Sequence, residues 1–203
     1  MNAQKKLAAF SALALVGILN YKPAIANSSY YKEDSDYARL LLSLKTGYRV
    51  DREQDIDEDV NQELQENLGK LKLANPAVIP RSLEKLNIIG ATAMGLYIKD
   101  KDGWSGYKLF FTLDADTTCA YSFLDLSLSK DKVKLEHGTM RVTVNGKQAY
   151  KLAYGSKHSG YVYAVNWYDN DKVYALDCAT KRFNKKLLDA VLAMADAIDG
   201  DKT

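Results

Sequence analysis

MRVTVNGKQAYKLAYGSKHSGYVYAVNWYDNDKVYALDC, residues 140–178, is the stretch whose reading decides the fold. Asn145-Gly146 accepts the two positive φ angles of a type I′ turn, whose twist suits a two-residue hairpin. The runs on either side, 140–144 and 148–154, are therefore expected to pair as antiparallel strands. Asp169-Asn170-Asp171 marks a second hairpin, between 161–168 and 172–178, both rich in aromatic and β-branched residues. Alternation along 161–168 puts Tyr161, Tyr163, Val165 and Trp167 on one face and the smaller Val162, Ala164 and Asn166 on the other.

Outward from this stretch, 88–99, 107–113, 119–128 and 132–136 also read as strands between turn signals. Gly90, Gly95 and Gly106 interrupt the first strands without forming a nucleotide-binding glycine pattern. Residues 183–198 read as an amphipathic helix with Leu187, Leu188, Val191, Leu192, Ala195 and Ile198 on its apolar stripe. Such a helix supplies the cover that an antiparallel sheet needs on its buried face.

Before the strands lie two helical patterns. Ser35 is placed to cap a helix with Tyr37, Leu40, Leu41 and Leu44 on one stripe, stopped near Gly47. A second begins near Asp57, repeats Val60, Leu64, Leu68 and Leu71, and ends at Asn75-Pro76. The fold class expected is α+β: two N-terminal helices, an antiparallel β-meander of six to eight strands, and a C-terminal amphipathic helix packed on the sheet. The organisation expected is a leader over 1–26, a helical segment over 27–80 and the sheet with its helix over 81–203, the last two in one globular domain. The order of meander, cysteine-ended strand and terminal helix resembles the α/β/α sandwich of PsbP-type proteins. That likeness is topological, spans the last half of the chain and carries no motif.

The leader is read from three features. Lys5 and Lys6 precede an uncharged run of 13 residues, 7–19, and Ala24-Ile25-Ala26 follows Pro23 as a cleavage signal. The run falls short of the about 20 apolar residues that span a bilayer. Cleavage after Ala26, with export to the periplasm or medium, is the expectation. Loss of Lys5, Lys6 and Lys22 leaves 25 basic against 26 acidic side chains, a net charge of −1. That balance argues against charge-driven nucleic-acid binding. In an oxidising compartment the two cysteines, Cys119 and Cys178, are expected to form one disulfide, stabilising the fold by roughly 4 kcal/mol. They lack the C-x-x-C spacing of a redox pair.

Four constellations bear on function. Asp55, Asp57, Asp59, Glu63 and Glu66, with Asn61, follow the spacing of an EF-hand loop. Val60 stands where that loop needs Gly, and the helical repeat runs through it, so an acidic first helical turn is the expected reading. His137 and His158 stand in predicted turns, and Ser156 or Ser159 with His158 and Asp169 permits a hydrolase triad on paper, without G-x-S-x-G. Tyr150, Tyr161, Tyr163, Trp167 and Tyr174 concentrate aromatic surface on adjacent strands; exposed, they would form a binding face, and under the terminal helix they would be core. Lys181, Arg182, Lys185 and Lys186 cluster ahead of the last helix, where they could touch an anionic partner. The leading expectation is an exported, non-enzymatic binding protein for an envelope protein or extracellular ligand, without metal or cofactor. A hydrolase using His158 or His137 and a calcium-dependent structural module are the alternatives.

Overall fold

The computed structural model describes residues 35–44, 70–76, 78–128 and 141–201. Seven strands make one antiparallel sheet: β1 Asn87–Ile98, β2 Gly103–Thr112, β3 Thr117–Asp125, β4 Arg141–Val144, β5 Lys147–Ser156, β6 Gly160–Asp169 and β7 Lys172–Thr180. Their order across the sheet is β1-β2-β3-β7-β6-β5-β4. The chain thus runs as two meanders, β1–β3 and β4–β7, and the second returns to seat β7 against β3. The expected strand over 132–136 and the helix from Asp57 to Leu71, with its acidic segment, lie outside the described residues, apart from the turn that carries Leu71.

The hairpin geometry follows from its residues. Asn145 and Gly146 take φ of 47° and 79°, as a type I′ turn requires, and Asn170 takes 53° in the β6–β7 turn. Cys119 and Cys178 stand directly opposite each other on β3 and β7 and are disulfide-bonded.

The helices are α1 Ser35–Leu44, the single turn α2 Arg81–Glu84 and α3 Leu187–Gly200. Helix α3 begins four residues later than the helix read over 183–198, at the first residue of its apolar stripe. Asn184 stops it: its Oδ1 accepts from Lys186 N and its carbonyl accepts from Leu187 N, forming a turn that the helix then leaves. Leu187, Val191, Ala195 and Ile198 pack from α3 onto Tyr107, Tyr121, Tyr163, Trp167, Tyr174 and Leu176. Helix α1 covers the other face, where Ala38, Leu41 and Leu44 meet Phe110, Ala120, Val162 and Ala179. The sheet is therefore the middle of three layers, and its central strands β3, β6 and β7 are buried on both faces. A sheet covered on both sides loses the polar-out alternation of a half-exposed one.

Candidate functional site

The aromatic face expected from the sequence lies under α3. Trp167 and Tyr163 are 0% and 1% exposed and Tyr174 is buried beside them, so these three build core. Trp167 stacks on Tyr174 at 5.3 Å. Tyr150 does not share their face, since it pairs with Asn166, which points the other way; it packs edge-on against Tyr168. Tyr161 reaches a rim of the molecule, where its ring meets Phe183 at 5.5 Å.

That rim borders an open cleft of about 650 Å³ at one end of the sheet. Two segments far apart in sequence wall it: Asp114 to Thr117 between β2 and β3, and Thr180 to Asn184 between β7 and α3. Thr117 and Thr180 pair across β3 and β7, and the disulfide lies two residues further along both strands. The walls are thus tied together covalently just behind the opening, as a loop site on a rigid scaffold requires.

Each wall is ordered by its own polar contacts. Asp114 accepts from Asp116 N at 2.7 Å and from Thr117 Oγ1 at 3.1 Å, which folds the acidic turn. Thr180 Oγ1 donates to the Arg182 carbonyl at 2.7 Å, and Asn184 N donates to the Tyr163 hydroxyl at 2.5 Å. Phe183 is left 62% exposed between the basic Lys181 and Arg182 and the Asn184 turn. The cleft therefore sets carboxylates on one side, cations on the other, and an exposed aromatic ring beside them. The basic cluster was legible in the sequence. Its acidic counterpart was not, because Asp114 and Asp116 fall between the strands read over 107–113 and 119–128, and nothing local ties them to Lys181 and Arg182.

The paper triad does not assemble. Ser156 Oγ and Ser159 Oγ lie 2.9 Å apart beside the exposed His158, at the Gly160 end of β6. Asp169 ends the same strand nine residues on, roughly 30 Å away at the rise of an extended chain. His137 and the EF-hand-like run Asp55 to Glu66 lie outside the described residues. Among the described residues no group of three or more His, Cys, Asp or Glu side chains could hold a metal ion, and no helix is long and apolar enough to cross a membrane.

A second polar constellation lies inside, on the α1 face of the sheet. Lys108 of β2 and Asp177 of β7 are each 4% exposed. The Tyr37 hydroxyl of α1 donates to Asp177 Oδ2 at 2.8 Å and accepts from Lys108 Nζ at 3.5 Å. Lys108 Nζ also lies 5.3 Å from the Tyr37 ring centre, a cation–π distance. Burial pushes the Asp177 carboxyl up and the Lys108 ammonium down, and each charge partly offsets the other's shift.

No protein family, characterised protein or solved structure matches the chain.

Proposed function

We propose that the protein is an exported, non-enzymatic binding protein that takes a polypeptide segment of an envelope or extracellular partner in the end cleft. The observation that carries this reading is the opposed charge of the walls around the exposed Phe183 ring. An exposed aromatic with a flanking Arg is the type of side-chain pair that anchors protein interfaces. A peptide offers both charge signs and an apolar anchor within a few residues. The hydroxyls of Thr117 and Thr180 donate to Asp114 and to the Arg182 carbonyl and so hold the two walls in shape. Export rests on the 1–26 leader pattern and agrees with the disulfide.

Selection of a random peptide library on the mature chain, followed by calorimetry on the enriched peptides, tests this. Phe183→Ala and Arg182→Glu should each weaken binding about tenfold or more; Arg182→Glu should leave the melting point unchanged, and Phe183→Ala, which loses ring contacts with Tyr161 and Tyr163, should lower it only slightly. Peptides that bind the double variant as tightly as the wild type would refute it.

A further inference from the structure

The α1 face of the sheet carries hydrogen-bonding groups that the fold does not use. Lys108, Thr118, Ser122, Asn166 and Asp177 project from four adjacent strands, all at 4% exposure or less. Thr118 Oγ1, Ser122 Oγ, Asn166 Nδ2 and Asp177 Oδ1 are buried without a hydrogen-bond partner, four of the five such side-chain atoms among the described residues. Native proteins leave few such groups, and a cluster of them on one surface asks for a reason. Packing does not supply one. The same face holds Ala120, Ala164, Ala175 and Ala179 around Asp177, and Phe110 and Val162 beside them, so apolar side chains fit here. From α1 the Tyr37 hydroxyl answers this surface and satisfies one Asp177 oxygen.

We infer that this face is a second ligand site, for a neutral, hydroxyl-rich molecule of the size of a mono- or disaccharide, which α1 covers and Tyr37 mimics. Three features define the chemistry. The charges of Lys108 and Asp177 cancel, so the site carries no net charge for an ionic ligand to neutralise. The open positions are mixed: Asn166 Nδ2 seeks an acceptor, Asp177 Oδ1 seeks a donor, and Thr118 and Ser122 take either. A ligand hydroxyl both donates and accepts and meets all of them. The four alanines give Asp177 a flat apolar surround against which the C–H face of a sugar ring can lie. From Lys108 to Asn166 the face spans three interstrand steps, about 14 Å. The ligand enters by displacing α1, its hydroxyl replacing that of Tyr37 on Asp177. This inference does not rest on the end cleft, which lies on other residues.

The test is calorimetric and NMR titration of the full exported chain with glucose, N-acetylglucosamine and trehalose, each to 50 mM. At least one should bind saturably and shift the amide signals of Ser122, Asn166 and Asp177. Ser122→Ala and Asp177→Asn should each weaken that binding about tenfold. Tyr37→Phe, which removes the competing hydroxyl, should strengthen it. Phe183→Ala should leave it unchanged, which separates this site from the cleft. The inference is overturned if none of the three sugars binds saturably. It is equally overturned if binding survives Ser122→Ala and Asp177→Asn, or if Tyr37→Phe lowers the melting point without raising affinity.

Discussion

The indole Nε1 of Trp167 donates to Asp199 Oδ1 at 3.0 Å, with both residues buried. This bond joins the centre of the sheet to the last turn of α3. Lys147 Nζ reaches both oxygens of the same carboxylate at 2.9 Å and Asp169 at 3.0 Å, while Asn145 caps the end of α3 through Asp196. The Asn145-Gly146 hairpin is thereby clamped to the helix.

Removing this carboxylate deletes the acceptor of a buried indole N–H and a partner of Lys147. Asp199→Ala is expected to cost about 2–4 kcal/mol, and Asp199→Asn, which keeps the acceptor, about half as much. Trp167→Ala, which empties a core site, should cost about 3–5 kcal/mol. Urea unfolding at constant slope measures all three.

The disulfide ties strands whose cysteines lie 59 residues apart in sequence. Reduction, or Cys119→Ala with Cys178→Ala, should lower stability by roughly 4 kcal/mol in the chain-entropy account. Because the bond sits just behind the cleft, peptides selected on the oxidised protein should bind the reduced protein more weakly. Thiol labelling of the denatured, unreduced protein should find no free thiol.

The unmatched hydroxyls of Thr118 and Ser122 lead to an unusual sign. Thr118→Val and Ser122→Ala remove buried polar atoms that lack partners while nearly preserving volume. Each is expected to stabilise the protein by about 1 kcal/mol, against the usual destabilising direction of core changes. Thermal unfolding of the two variants decides it.

The buried Asp177 gives a pH signature. Burial raises its pKa in the folded state above the unfolded value. The folded protein therefore binds this proton more readily, so the contribution to stability is full below the unfolded pKa of about 4 and is lost as pH rises through the folded value. Asp177→Asn lacks this titration. As pH falls from 7 to 4, the melting point of the wild type should gain on that of the variant, and a constant difference would contradict the assignment.

His158 is exposed in the β5–β6 turn, with its backbone N–H held by Ser156 Oγ. His158→Gln should therefore leave the melting point within about 1 °C and peptide binding unchanged, as expected for a surface substitution away from special contacts. Loss of peptide binding on this change would place the site elsewhere than the cleft.

The sequence by itself determined what depends on neighbouring residues. Asn145-Gly146 and Asn170 specify their hairpins because positive φ is a property of single residues, and alternation assigns Trp167 and Tyr163 to one face because the strand period is local. The disulfide followed from having two cysteines. Tertiary structure decided what depends on long-range pairing. That β7 seats against β3, and not at an edge, is set by contacts between distant segments. Whether the aromatic face was core or surface waited on which face α3 covers. The helix read over 183–198 begins only at Leu187, because the Asn184 turn precedes it and leaves Phe183 at the cleft. The cleft itself joins Asp114 to Arg182, and the inner polar face joins Tyr37, Lys108 and Asp177, residues that no local periodicity connects. Their proximity exists only once the strand order has brought the segments side by side.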